Sequence, residues 1–280
     1  MNFDYPKLEP FNFLGLRDQD YDKSKVAVFP VPYSSTTYWK SGTKDGPQAL
    51  IEASRHIELY DLETKKNLAE TGIFTLPFLE PSKNSPKETT ERIKKVVTQI
   101  LGDNKFPLMI GGEHSITLGA IQAFKEKFGD FSVLQIDAHS DLRDEFEGTK
   151  FHHACVMKRT KDLGISITQV GIRSTSEGEE LGDSVFFAPD LPMDKIIATL
   201  KEKVYLTFDL DGLDPSIMPS TGTPEPGGLL WYETLKLIKE VAQKRKIIGA
   251  DVVELDPIPG LAAPDFLAAK LVYKIINYII

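Results

Sequence analysis

Short apolar runs alternate along this chain with longer stretches in which apolar residues return every three to four positions. The short runs predict strands: "KVAVFPV" (Lys25–Val31), "FPLMIGG" (Phe106–Gly112), "FSVLQID" (Phe131–Asp137), "ITQVGIR" (Ile167–Arg173), "VYLTFDLD" (Val204–Asp211) and "IIGADVVELDP" (Ile247–Pro257). The longer stretches predict helices, beginning with "GPQALIEASRHI" (Gly46–Ile57), where Pro47 suits a first turn. Next is "SPKETTERIKKVVTQIL" (Ser85–Leu101), with Ser85 as cap and Ile93, Val96, Val97, Ile100 and Leu101 as the apolar stripe. Further helices are expected over Ser115–Phe128, Ala154–Leu163, Met193–Lys203, Trp231–Arg245 and Pro264–Ile280. The last of these is rich in Ile, Leu and Tyr and reads as core rather than as a surface for assembly.

Repeated strand–helix alternation predicts an α/β fold of three layers, α/β/α, with a mostly parallel sheet covered on both faces. No internal repeat, low-complexity tract or long linker interrupts the pattern, so a single domain over residues 1–280 is expected.

Composition narrows the function classes. Hydrophobic residues make up 41% of the 280, enough for one large core, and 26% are charged. A formal net charge of -8 argues against a nucleic-acid partner, which would call for clustered Lys and Arg. Cys155 is the single cysteine, so an intrachain disulfide and a Cys-rich zinc site are both excluded. The opening "MNFDYPKLEPFNF" has no basic region leading into an apolar run, and no stretch has the roughly 18 apolar residues of a membrane span. A cytoplasmic location and no membrane partner are the resulting expectations.

The polar residues that change the picture stand at strand ends, where open parallel sheets bind ligands. "IGGEHS" delivers His114; "IDAHSD" delivers Asp137, His139 and Asp141; "FDLDGLDP" delivers Asp209, Asp211 and Asp214; "VVELDP" delivers Glu254 and Asp256. A lone Asp after a strand is ordinarily a turn former or cap, and Asp144 and Asp214 are read that way. The pairs Asp137/His139 and Asp209/Asp211 are different, because i, i+2 spacing turns both side chains to one face of an extended chain. Paired aspartates at a buried strand end are costly without a cation. Oxygen and nitrogen donors without sulfur suit Mn²⁺, with Mg²⁺, Co²⁺ or Fe²⁺ fitting less well. Six donor residues exceed what one small ion needs, so two metals sharing carboxylates are expected.

"GGEHS", "DAHSD" and "FDLDGLDP", in that order, resemble the motif blocks of the ureohydrolases, the family of arginases and agmatinases. The segment "VPYSSTTYWKSGTKDGPQALIEAS" is similar to the family's first strand, loop and helix, and the resemblance runs from about Lys25 to the C-terminus. It implies an arginase-like fold and two Mn²⁺ per chain. One ion would be held by His114, Asp137, Asp141 and Asp209. The other would be held by His139, Asp137, Asp209 and Asp211, with Asp137 and Asp209 bridging. It further implies Glu254 as the carboxylate that binds guanidinium, His153 as the proton-transferring histidine, and a homotrimer or homohexamer. Thr149 and His152 depart from the pattern, standing where close relatives often carry Asn and Ser. The neighbouring His152 therefore leaves the assignment of His153 open.

The implied reaction is hydrolysis of a small cationic guanidino compound to urea and an amine. Two divalent ions lower the pKa of a water between them and so supply the nucleophile. Glu254 would hold the cation and a histidine would protonate the leaving amine. The segment Leu142–His152 carries Asp144, Glu145 and Glu147 against Arg143 and Lys150, and it lacks the Gly-Asn segment of arginases. An acidic loop at the mouth would favour an amine tail, so agmatine or aminopropylagmatine is expected over arginine. Guanidinobutyrate and formiminoglutamate are the remaining substrate alternatives. Other readings are a deacetylase-like amide hydrolase with one zinc, or an inactive relative kept for assembly. The full ligand set, including His114 and Asp141, speaks against both.

Overall fold

A computed structural model describes residues 6–280; Met1–Tyr5, the start of the segment expected to carry no leader, lie outside the described residues. Among the described residues, ten strands and seven α-helices occur. The strands are β1 (Val26–Val31), β2 (Tyr60–Asp61), β3 (Lys66–Asn67), β4 (Ile73–Thr75), β5 (Phe106–Gly111), β6 (Ser132–Ile136), β7 (Ser166–Ile172), β8 (Val185–Phe187), β9 (Lys203–Asp209) and β10 (Lys246–Val253). The helices are α1 (Gly46–Ser54), α2 (Pro86–Gly102), α3 (Thr117–Phe128), α4 (Val156–Asp162), α5 (Met193–Thr199), α6 (Trp231–Lys244) and α7 (Ala262–Ile279). Apart from β2–β4 and β7–β8, strands and helices alternate. Eight strands form one sheet in the order β4-β1-β5-β10-β9-β6-β7-β8, and β2 and β3 make a separate small hairpin. Every pairing within the large sheet is parallel.

Side-chain alternation assigns the two faces. Val26, Val28, Leu108, Ile110, Leu134, Ile136, Leu206 and Phe208 point to one side, where α1, α5, α6 and α7 cover them. Ala27, Phe29, Val31, Met109, Val133 and Tyr205 point to the other, under α2, α3 and α4. Buried on both faces, the central strands carry continuous apolar runs. In α2 the side chain of Ser85 accepts from the N–H of Glu88, and Ile93, Val97, Ile100 and Leu101 are buried. Val96, expected on that stripe, is only half-buried. In α7 the residues from Ala268 to Asn277 are buried apart from Lys270, which is half-buried, so the closing helix is core as expected. Among the described residues no helix is long and apolar enough to cross a membrane.

The strand order matters for chemistry. β5, β10, β9 and β6 are consecutive neighbours at the centre of the sheet. Being parallel, they end on the same edge, and they are the four strands that lead into the polar clusters.

Candidate active site

β5 ends in Gly111 and Gly112 before the turn that carries His114. A Cβ on Gly112 would stand 1.9 Å from the carbonyl oxygen of Tyr33, so only glycine lets the two chains approach so closely. His114 is fully buried. Its Nε2 lies 2.8 Å from the hydroxyl of Thr207, and that hydroxyl donates to Asp251 Oδ1 at 2.6 Å. With its one hydrogen given to Asp251, the Thr207 oxygen accepts from Nε2–H. Nδ1, left without a hydrogen-bond partner, faces Asp137 Oδ2 at 3.1 Å, Asp141 Oδ2 at 3.2 Å and Asp209 Oδ2 at 3.3 Å. A lone pair buried against three carboxylate oxygens is tolerated only with a metal ion among them or a proton on Nδ1.

A second cluster adjoins the first. His139 Nδ1 is 3.0 Å from Asp211 Oδ2 and 3.7 Å from Asp137 Oδ1. Asp137 thus turns one oxygen to each histidine. Its Oδ1 also accepts the N–H of His139, and its Oδ2 accepts from Gln135 Nε2. His114, Asp137 and Asp141 form one group with metal-ligand spacing, and Asp137, His139 and Asp211 form another. Asp209 stands beside His114, and its Oδ1 accepts the N–H of Asp211.

The electrostatics repeat the same demand. Burial, then Asp137, raises Asp141 to about 6; burial, then Asp211, raises Asp209 well above the carboxylate range. Burial works against charge on both histidines, but the surrounding aspartates outweigh it, lifting His114 well above its ordinary value and His139 to about 12. Protons thus gather wherever metal charge is missing. Buried nitrogen and oxygen donors in two groups linked by a shared carboxylate fit a pair of small divalent ions.

Glu254 follows β10 with φ +65°, and Asp141 has φ +53°, the left-handed region that side chains other than glycine rarely adopt. Glu254 Oε1 accepts the N–H of His114 at 2.6 Å, so this carboxylate is held directly beside the ligand cluster. Burial pushes its pKa well up, as expected of an acid awaiting a cation. His153, not His152, lines the cleft. Burial, then His152, lowers His153 to about 3, so its imidazole rests neutral. His152 is buried and caps the turn ahead of α4 through Nδ1, while Thr149 accepts the N–H of Phe151; neither reaches the cleft.

The cleft has a volume of about 470 Å³. Its acids differ from those expected of Leu142–His152. Asp144 pairs with Arg159 and lies 3.3 Å from Lys150, Glu145 is exposed away from the cleft, and Glu147 lies 3.7 Å from His152. Glu179 and Glu225 line the cleft instead, with Tyr38 and Trp39. Asp214 is a turn former, accepting the N–H groups of Ser216, Gly227 and Gly228. Glu113, beside His114 past the end of β5, has a structural task that its position in the sequence did not reveal. It is fully buried and accepts from the N–H groups of Ser35 and Thr36 and from two hydroxyls, pinning the loop that carries Tyr38. Asp251 was equally hidden, though an acid inside the apolar run "IIGADVV" was a signal.

Comparison with known proteins agrees with this geometry. The arginase family model matches residues 24–277. The chain is 38% identical over 275 residues to an N(1)-aminopropylagmatine ureohydrolase of Synechocystis, covering 92% of this chain and 90% of the relative. It is 30% identical over 275 residues to an agmatinase of Pyrococcus horikoshii, with 94% and 93% covered. Among solved structures, the agmatine ureohydrolase of Thermoplasma volcanium superposes with a TM-score of 0.88 at 32% identity, over 96% of this chain and 94% of that one. A two-cluster histidine–aspartate site at the centre of an all-parallel sheet, with motifs and relatives in agreement, places this chain in the arginase family.

Proposed function

We propose that this chain is a single-domain, manganese-dependent ureohydrolase that releases urea from a guanidine with a cationic tail, agmatine being the leading candidate. The observation that carries the reading is the buried His114 Nδ1 facing three aspartate oxygens with Glu254 fixed beside it. His114, Asp137, Asp141 and Asp209 would hold one ion and His139, Asp137, Asp209 and Asp211 the other. The ions, when bound, supply an activated water and electrostatic stabilisation of the charge that develops at the guanidinium carbon. Glu254 binds and orients the guanidinium by charge-assisted hydrogen bonds. His153 accepts a proton and returns it to the leaving amine, a task that suits a neutral imidazole at the wall of the cleft. Assembly into a homotrimer or homohexamer belongs to the same reading, and the acidic chain gives no support to a nucleic-acid partner.

A second tail is favoured by one observation: the relative at 38% identity is named for N(1)-aminopropylagmatine. Urea release by the Mn²⁺-loaded chain from agmatine, N(1)-aminopropylagmatine, arginine and 4-guanidinobutanoate separates the readings. Both amines are expected to exceed both carboxylates in kcat/KM. Absence of urea from all four would end the ureohydrolase reading.

A further inference from the structure

Glu225 has no counterpart in the chemistry above, yet its backbone is firmly placed at the mouth of the cleft. It stands in Pro224-Glu225-Pro226, where flanking prolines restrict the backbone. Arg173, just after β7, donates from Nη2 to the carbonyl of Glu225 at 2.7 Å and to that of Asp211 at 2.6 Å, and from Nε to the carbonyl of Pro226 at 3.1 Å. One guanidinium therefore ties the Glu225 loop to the turn bearing Asp211. The Glu225 side chain is 39% exposed and lines the cleft.

The cations of the cleft are directed elsewhere. Arg143 Nε is 3.5 Å from Glu179 Oε1. Lys40 lies over the Trp39 ring, 5.0 Å from its centroid, and its charge acts on Asp256. Among the described residues, no lysine or arginine comes within ion-pair distance of Glu225. Its one basic neighbour is His139, whose Nε2 is 4.0 Å from Oε1. The same cleft presents Tyr38 and Trp39, each 67% exposed, with Tyr38 tilted onto Phe146 at 6.0 Å between centroids. Aromatic faces and a carboxylate clear of lysine and arginine, lining one cleft, suit an alkylammonium: methylenes pack on the rings and the cation is drawn to the acid.

We propose that Glu225, with Tyr38 and Trp39 as its apolar walls, forms the subsite for the cationic end of the substrate tail and sets the preference for amine-tailed guanidines. This rests on the guanidine reading above and assigns specificity within it. The test compares kcat/KM for agmatine with that for pentylguanidine, which replaces the ammonium by a methyl group, and for 4-guanidinobutanoate, in wild type, Glu225→Gln and Glu225→Lys. Bound Mn²⁺ per chain is measured alongside. Glu225→Gln should shrink the agmatine-to-pentylguanidine ratio about tenfold, the worth of one charge-assisted hydrogen bond. Glu225→Lys should move the preference toward the carboxylate tail, with Mn²⁺ content held in both variants. An unchanged ratio overturns the proposal. So does an equal loss on all compounds with falling Mn²⁺, which would make Glu225 a support for His139. If wild type releases urea from none of them, the guanidine reading fails and the subsite fails with it.

Discussion

At the scale of single residues, the chain Asp251–Thr207–His114 decides which nitrogen of His114 is offered to a metal. Asp251 also accepts the hydroxyls of Thr117 at 2.9 Å and Tyr205 at 2.6 Å, so its oxygens are anchored from three sides. Replacing Thr207 by Val removes the acceptor for Nε2–H and one donor to a buried carboxylate. Partners of this kind commonly change metal affinity by about 10–100-fold. Thr207→Val is therefore expected to weaken one of two Mn²⁺ ions by that factor and to spare the one at His139, while Thr207→Ser retains both. Calorimetric Mn²⁺ titration checks this, and two unaltered affinities in the Val variant would remove Thr207 from the site's design. Legibility at this scale followed sequence spacing. His114, Asp137, His139, Asp141, Asp209, Asp211 and Glu254 declared themselves because they cluster just past apolar strands. Glu225 lies in a loop whose partner, Arg173, is 52 positions away in sequence, and local pattern carries no trace of such a pairing.

At the scale of elements, the β2–β3 hairpin shows how a small piece of structure is held to the core. Lys274 of α7 reaches Asp61 Oδ2 at 2.6 Å and Glu63 Oε2 at 2.9 Å, and the Asp61 side chain is only 3% exposed. Asp61 also accepts the N–H groups of Glu63 and Thr64. Lys274→Met would leave a buried carboxylate without its cation, at a cost of about 3 kcal/mol. Burial raises the pKa of Asp61, but Lys274 and the backbone donors outweigh it and hold it below its ordinary value. Stability from such a group is present above the unfolded pKa, near 4, and is lost as pH falls through the folded value. The gap between wild type and Lys274→Met in urea unfolding should thus be full at pH 7 and narrow below about pH 4; a gap independent of pH would contradict the charge argument. This hairpin was invisible in the sequence, as were β4 and β8. Strands of two or three residues are too short to show alternation, and their existence depends on the neighbours they pair with. The acids of Leu142–His152 were misjudged for a related reason: the cation that engages Asp144 is Arg159, supplied by α4 after the loop has turned back.

At the scale of the whole molecule, the sheet order gathers like charge at one place. Pattern alone predicted parallel strands ending together, but not that β5, β10, β9 and β6 would be adjacent, since order across a sheet is set by the crossovers. Adjacency turns separate acids into a single buried array, and the array ties stability to metal. Without metal, Asp141 titrates near 6, raised first by burial and then by Asp137. Asp209 and Glu254 are raised further, chiefly by burial. A carboxylate whose folded pKa exceeds its unfolded value binds more protons in the folded state, so its contribution declines as pH rises from about 4 through the folded value. Asp137 is raised by burial but held low by His114 and His139, and it acts in the opposite sense only in acid. Bound metal takes over the role of those protons, and its affinity grows as they leave. Chelator-stripped protein should therefore lose Tm steadily between pH 5 and pH 8, while Mn²⁺-loaded protein holds its Tm. The two should differ by on the order of 10 °C at pH 8, if each metal is bound well above its Kd. Parallel pH profiles for the two forms in differential scanning calorimetry would show that the strand-end carboxylates do not depend on metal for their burial.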